Sequence, residues 1–449
     1  MTELDNLLED NYQAIKDPEC KQAILDFLDG NESLKGLPLS FIKKFTKVSH
    51  NLLTSDPFSL QNYLEKLYNM NIDGVHEVKN FQGNDFNYLQ LISMASHLHG
   101  YAAAIASQIF KDSQELLWAK RCYTSNRTSA RLLKGYNPRY SAYTYGFAGS
   151  ISKSIYDLTN NELWLHRWYQ SKLMSAELAE DIDVTHSAYC YSIAGKASMI
   201  LYEKHHDTNW GLRCYEHYLQ SAEISLETNK KHAAHAYSFA GNAAMELFNH
   251  LGDTVWGRLW YESYMSSGEF SLDTEIIHCY NSFRIAGNAA RDIYKKTEEI
   301  EWAKKWFFAL FKSADLSIDV NLRHSINGYS ISGDIAEEIF SKTGKTSWAE
   351  HMYSSHLKAA ELCHQSNPKH SAHQYSYAGN AAKLMAIKSR DDQWIKDTIF
   401  CYEKFLDFYT NNNNTRVHNV IKRIRSDVYQ LNLALEDPEV PLKVDHHHS

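Results

Sequence analysis

Residues 237–248 read YSFAGNAAMELF, and residues 191–202, 46 positions earlier, read YSIAGKASMILY. Each stretch places a glycine between an aromatic residue and a run of small and apolar residues. The same glycine recurs every 46 residues, and we call its copies the ladder glycines: Gly149, Gly195, Gly241, Gly287, Gly333 and Gly379. A spacing this regular indicates one structural unit used repeatedly.

A tryptophan series with the same period runs beside the glycines. Its members, the ladder tryptophans, are Trp118, Trp164, Trp210, Trp256, Trp302, Trp348 and Trp394. Apolar and small residues three or four apart around both series are typical of amphipathic helices, so each repeat predicts two helices. Short polar segments join them, such as residues 157–161 and 251–254. We therefore expect seven helical hairpins of uniform length over residues 86–410.

The small and aromatic residues of the repeat have an architectural role in this prediction. Glycine and alanine let a neighbouring helix approach closely. The tryptophan and the aromatic residue five positions later, such as Trp164 and Tyr169, fill the space between adjacent hairpins. A single hairpin cannot bury its own apolar face, so the hairpins must stack and the ends need caps. The predicted fold is an all-α solenoid of seven antiparallel hairpins with helical caps.

Composition excludes several functional classes. The 449 residues include only seven prolines and 19 glycines, which favours long helices. A formal charge of −8 argues against nucleic acid as a partner. No apolar run is long enough to cross a membrane, and the acidic amino terminus lacks the apolar stretch that is typical of a signal peptide. Seven scattered cysteines without CxxC spacing argue against disulfides and a zinc site, so we expect a cytoplasmic protein with no cofactor.

Motifs for catalysis are missing as well. Gly344, Lys345 and Thr346 imitate the end of a phosphate-binding loop, but Ile339 stands where that motif needs glycine. The sequence also lacks HExxH and GxSxG. We therefore do not expect an enzyme, although catalysis by residues from distant repeats stays open.

The ends of the chain lack both ladders. Residues 1–85 predict helices over 5–16, 18–28, 39–53 and 57–70, then a linker over 71–85. This region is interpreted as an N-terminal cap or a small separate module. The asparagines at 411–414 interrupt the array, and residues 417–435 predict a last helix that covers the final hairpin within a C-terminal region, 411–449. Its positive charges are expected to be solvated.

The run from Ala240 to Asp253 resembles the first helix and turn of a tetratricopeptide repeat, with both helices extended beyond the usual repeat of about 34 residues. The resemblance covers residues 86–410. It implies a right-handed superhelix whose first helices line the concave wall, and it implies that the protein binds a protein or a peptide.

Carried onto this chain, the resemblance predicts binding residues on one face of the first helices. Counted from each ladder glycine, this face comprises positions −6, −3, +1 and +4, and the candidates come from the first three. The candidates are Tyr189, His235, Ser192, Ser238, Arg284, Ser330, Ser376, Lys196, Asn242, Asn288, Asp334 and Asn380. An asparagine amide can donate to and accept from a peptide backbone, whereas the alternative is bonding to a neighbouring helix or water. Replacing Asn242, Asn288 and Asn380 together with alanine is expected to weaken binding with little loss of stability.

Histidines form a third series, nine residues before each ladder glycine: His186, His232, His278, His324 and His370. One interpretation is a pH-sensitive or metal-binding edge. The other is packing of the first turn against the preceding hairpin, and the separation of successive repeats, on the order of 20 Å, favours it.

Three functional hypotheses follow. The first is an adaptor or scaffold that holds a partner segment on the concave face. The alternatives are a self-assembling structural protein, which allows a homo-oligomer, and a small-molecule sensor or enzyme with a pocket inside the superhelix.

Overall fold

The structure is a computed structural model that describes residues 42, 64–81, 87–411, 418–437 and 439–442. The described residues contain sixteen α-helices and no strand. In chain order the helices are α1 (Leu64–Asn80), α2 (Tyr88–Ser113), α3 (Leu116–Leu133), α4 (Pro138–Thr159), α5 (Glu162–Ala179), α6 (Val184–His205), α7 (Thr208–Ser225), α8 (Lys230–Leu251), α9 (Thr254–Ser271), α10 (Ile276–Thr297), α11 (Ile300–Ser317), α12 (Leu322–Thr343), α13 (Thr346–Cys363), α14 (Pro368–Ser389), α15 (Asp392–Asn411) and α16 (His418–Glu436).

The helices from α2 to α15 form the seven predicted hairpins, each with a ladder tryptophan on its second helix. The chain divides into two compact units, and the boundary between them in the sequence lies between Asn229 and Lys230. The first unit contains α1–α7 and the second contains α8–α16, and within each unit every helix packs on the next. This confirms the predicted all-α solenoid of antiparallel helical hairpins.

The turn inside each hairpin uses a left-handed backbone conformation four residues before the ladder tryptophan. Gly252 and Gly344 adopt φ values of 67° and 65° there, as glycine does without steric cost. The other five hairpins place residues with side chains in the same conformation: Gln114, Asn160, His206, Glu298 and Arg390. A common turn geometry explains why the spacing never changes.

Serine hydroxyls connect the helices at repeating positions. Ser175 on α5 donates to the Ala142 carbonyl on α4 at 2.7 Å, and Ser313 on α11 donates to the Tyr280 carbonyl on α10 at the same distance. Ser187 on α6 then donates back to the Ala176 carbonyl on α5 at 2.8 Å. These serines are buried, so the bonds satisfy hydroxyls that would otherwise be costly to bury.

Aromatic pairs join successive hairpins as the sequence predicts. The ring five residues after one ladder tryptophan meets the next ladder tryptophan edge to face, as Tyr123 does with Trp164 at a centroid distance of 5.1 Å. The same geometry recurs in both units, in the pairs Tyr169–Trp210, Tyr261–Trp302, Phe307–Trp348 and Tyr353–Trp394. Edge-to-face pairs add to the stabilisation from burial alone.

The described part of the N-terminal region behaves as an additional second helix. Tyr68 on α1 meets Trp118 edge to face at 5.3 Å, so α1 covers the first hairpin as a preceding repeat would. The predicted linker over 71–85 is wrong as far as Asn80, because Asn71, Val75 and Val78 are buried residues of α1. Segments 5–16 and 18–28 lie outside the described residues, as does 39–53 except for Ile42, which is helical and buried.

At the other end, α16 packs on α15, close to the predicted span of 417–435. Its residues Ile424 and Leu431 are buried among residues of the last hairpin, while Lys422, Arg423 and Arg425 are exposed as expected. None of the described helices has the length and hydropathy to cross a bilayer. The six cysteines in the described part of the chain are buried free thiols.

Candidate binding face on the first helices

The first helices expose an apolar series that sequence reasoning missed. Two residues before each ladder glycine stands a large apolar or aromatic side chain; in α2, Ala103 takes the glycine position. The series, which we call the apolar stripe, is Tyr101, Phe147, Ile193, Phe239, Ile285, Ile331 and Tyr377. Phe147 is 64% exposed, Phe239 45%, and Ile331 and Tyr377 43% each. The remaining three members are partly buried.

Position −3, which the sequence placed on the binding face, points instead toward the next hairpin. Ser238 and Ser376 are buried, and Ser192, Arg284 and Ser330 are partly buried. Ser238 Oγ lies 3.0 Å from Nε2 of His278, which belongs to the following first helix. One residue along a helix is a rotation of about 100°, and that rotation separates this inter-hairpin position from the exposed one at −2.

The ladder glycines make room for one side chain of the second helix. A Cβ added at Gly241 would lie 2.6 Å from the Tyr264 ring, and one at Gly379 would lie 2.5 Å from the Tyr402 ring. The side chain concerned stands eight residues after the ladder tryptophan, and we call this the floor position. In the hairpins with a ladder glycine it is occupied by Lys172, Tyr218, Tyr264, Leu310, His356 and Tyr402.

Two of the three candidate asparagines are bound to floor tyrosines. Tyr264 Oη donates to Asn242 Oδ1 at 2.6 Å, and Tyr402 Oη donates to Asn380 Oδ1 at 2.9 Å. Burial raises the pKa of Tyr264 to about 12, so its hydroxyl keeps its proton at neutral pH. Asn288 differs, because the floor residue of its hairpin is Leu310, which cannot form a hydrogen bond. All three asparagines are partly exposed.

The two residues that interrupt the asparagine series are exposed. Lys196 lies on α6 in the first unit. Asp334, on α12, has its Oδ1 atom 3.9 Å from Nε2 of the fully buried His356. The other ring nitrogen of His356 lies 2.7 Å from Gln374 Oε1, and burial lowers the pKa of the histidine to about 4.

The candidates at position −6 have different surroundings. Tyr189 is exposed, and the Lys172 ammonium lies 5.9 Å from its ring centroid. His235 Nε2 lies 2.7 Å from a carboxylate oxygen of Glu275 and is partly buried. In the second unit, His235, Asn242, Asn288, Asp334 and Asn380 lie at equivalent positions of successive first helices, whereas Tyr189 and Lys196 of the first unit both lie on α6.

The histidine series is explained by packing. His186 Nε2 lies 2.9 Å from Ser175 Oγ of the preceding second helix, and His324 Nε2 lies at the same distance from Ser313 Oγ. Burial lowers the pKa of His186, His278 and His324, which keeps them neutral at pH 7. Among the residues that the structure describes, no group of three or more histidine, cysteine or acidic side chains is placed to hold a metal.

Comparison with known proteins finds no protein-family model and no curated protein that matches the chain. Solved structures similar to it include apo RapI, at 13% identity and a TM-score of 0.32, with 86% of this chain and 98% of that one covered. A circular tandem repeat protein has 11% identity and a TM-score of 0.23, covering 97% and 99%. A human IFIT1 dimer with PPP-AAAA has 9% identity and a TM-score of 0.17, covering 94% of each chain.

Proposed function

We propose that the first-helix face of the second unit binds a segment of another protein in extended form. The observation that carries the proposal is the apolar stripe, because Phe239, Ile331 and Tyr377 are exposed at one repeating position of the first helices. Exposed apolar side chains at regular intervals on one face are a feature of protein interaction sites. The proposed role is binding in a reducing, cytoplasmic setting, where the six buried cysteines stay thiols.

Polar groups beside the stripe suit a peptide backbone. Asn288 carries an amide that can both donate and accept, and its floor neighbour leaves that amide free of a tyrosine hydroxyl. Each hydrogen bond gained in this way contributes on the order of 1 kcal/mol. Successive stripe residues lie on the order of 20 Å apart, so they would take side chains about six residues apart in an extended segment while the amide binds its backbone.

The charges on this face are mixed, which favours a protein segment over a polyanion. Asp334 is exposed one repeat after Asn288, and Glu337 is exposed one turn beyond Asp334. The ammonium of Lys383 is already paired with Asp427 at 2.7 Å. A nucleic acid would need a surface dominated by unpaired lysine and arginine.

A peptide selection tests the proposal. Random peptides displayed on phage are selected on the immobilised full-length chain, and the affinity of a synthetic copy is measured by fluorescence anisotropy. Replacing Phe239 and Ile331 together with serine should lower that affinity by about tenfold or more, because both apolar contacts are lost. The matched control replaces Val255 and Phe308 with serine; these residues lie on second helices and are 54% and 52% exposed. This control should leave the affinity for the peptide unchanged.

The proposal would be contradicted if both double variants lost the same affinity for the peptide. It would also be contradicted if neither double variant changed that affinity. A second copy of the chain is the alternative occupant of the stripe. In that case the Phe239 and Ile331 replacements would change the mass measured by light scattering across a dilution series.

A further inference from the structure

The first hairpin departs from the others at the floor between successive first helices. Four and eight residues after the ladder tryptophan, the next hairpin has Trp168 and Lys172, and both are buried. Trp168 belongs to a core cluster with Ala194 and Ala197 of α6, so a large ring closes that floor. The first hairpin has Asn126 at the floor position, where every hairpin with a ladder glycine has a larger side chain, and Cys122 four residues before it, as the third hairpin has Cys214.

A cavity of about 700 Å³ lies where the larger side chains are missing. It is bounded by α2 and α4, with Cys122 and Asn126 of α3 also in its lining. Those two residues are only 3% and 8% exposed, whereas Phe147 at the rim is 64% exposed. The cavity is therefore open at the surface and deep, and its lining contains the two stripe residues Tyr101 and Phe147.

The lining is uncharged at neutral pH apart from one exposed lysine, Lys111. Burial raises the pKa of the Cys122 thiol to about 12 and also raises the pKa of Tyr101, so neither becomes an anion. Tyr143 uses its hydroxyl to donate to the Asp183 carboxylate. A charged ligand would lose its hydration here without a buried partner of opposite charge.

One polar side chain at the bottom of the cavity can form hydrogen bonds with a ligand. Asn126 Nδ2 lies 3.4 Å from Cys122 Sγ, and a thiol sulfur is a weak acceptor. The carboxamide can therefore donate to a ligand carbonyl or accept from a ligand hydroxyl. Tyr101, Tyr140 and Phe147 supply aromatic surface for flat rings.

We propose that this cavity is a binding site for an uncharged small molecule with two or more rings and one polar group directed at Asn126. A cavity of about 150 Å³ already holds benzene, so a single ring would leave most of this one empty. Its volume lies in the range, about 300–1,000 Å³, that receives small organic ligands. The site belongs to the first unit and does not depend on the peptide-binding role proposed for the second.

N-phenyl-1-naphthylamine is a suitable probe, because it is uncharged, has three rings and one N–H group, and fluoresces more strongly away from water. We expect the full-length chain to bind it saturably with a stoichiometry of about one. The test variant combines Ala103→Gly with Asn126→Tyr, which gives the first hairpin the ladder glycine of its sister hairpins and the floor tyrosine that three of them have. Since the new ring fills the cavity, affinity should fall by about tenfold or more.

A second variant tests the proposal independently if the first variant does not fold. Phe147→Ala removes an exposed rim contact and should weaken the probe several-fold, whereas Leu163→Ala, which removes an exposed apolar side chain on a second helix, should not. Absence of saturable binding by the native chain would overturn the proposal. The proposal would also be overturned if the Ala103→Gly/Asn126→Tyr variant, with helical circular dichroism unchanged, bound the probe as tightly as the native chain does. The same holds if Phe147→Ala and Leu163→Ala changed the affinity for the probe equally.

Discussion

At the scale of single residues, the asparagines after the ladder glycines have two different tasks. Asn242 and Asn380 accept hydrogen bonds from buried tyrosine hydroxyls, so they are part of the hairpin's own structure. Asn288 faces a leucine and is the better candidate for contact with a partner. The expectation that all three can be replaced without loss of stability therefore changes for two of them.

Single alanine variants should show this difference. Asn242→Ala leaves the buried Tyr264 hydroxyl without its acceptor and should lower the free energy of unfolding by about 1–3 kcal/mol. Asn288→Ala should change it by less than about 0.5 kcal/mol, since no such partner is lost. Urea denaturation of both variants measures the difference, and equal losses would contradict the separation of roles.

The buried His356 predicts a dependence of stability on pH. Its pKa falls from 6.5 to about 4 on folding, so the unfolded chain binds more protons between these values. The histidine's contribution is complete above pH 6.5 and is lost as the pH falls toward 4, at up to about 1.4 kcal/mol per pH unit. Denaturation midpoints of His356→Gln between pH 7 and pH 4.5 should fall less steeply than those of the native chain.

The exposed His364, which directly follows the last residue of α13, offers a matched control, and His364→Gln should retain the native slope. If the slope for His356→Gln is unchanged as well, protonation of His356 does not limit stability in acid.

At the scale of elements, the first helix of each hairpin ends in a left-handed residue whether or not that residue is glycine. Glu298 adopts φ 58° and is exposed, so its side chain gains nothing visible from the strained conformation. The same position in the next hairpin is Gly344. The fixed turn geometry thus tolerates strain at five of its seven occurrences.

Exchanging the two residue types should reveal the strain. Glu298→Gly is expected to raise the free energy of unfolding by about 0.5–1 kcal/mol, because relief of the left-handed conformation exceeds the added freedom of the unfolded chain. Gly344→Ala should lower it by about 1 kcal/mol. Thermal and urea unfolding of each variant measures both effects, and a destabilised Glu298→Gly protein would show that the side chain has a role.

At the scale of the whole molecule, period and helix type were predictable because a 46-residue spacing fixes which residues are equivalent. The tryptophan–tyrosine contacts and the first-turn histidines followed from the same pattern. The rotation of each first helix about its own axis could not be predicted from the pattern, because positions −3 and −2 both have a regular series of residues. Ser238 is buried and Phe239 exposed, contrary to the usual preference of their side chains.

Local departures from the repeat were equally hard to anticipate. The cavity beside Asn126 depends on a missing side-chain volume, which becomes visible only when the helices are placed around it. Residues 71–80 lack both ladders, and their helix is stabilised by packing of Val75 and Val78 rather than by the repeat pattern.

The central claim, that the apolar stripe of the second unit contacts a bound protein segment, is tested most directly by site-specific photo-crosslinking. The photoreactive residue p-benzoylphenylalanine would replace Phe239 or Ile331 on the stripe, and Val255 or Phe308 on the second helices, with a selected peptide bound. We predict crosslinks to the peptide from the two stripe positions and none from the other two. Crosslinks from Val255 and Phe308 alone would contradict the account.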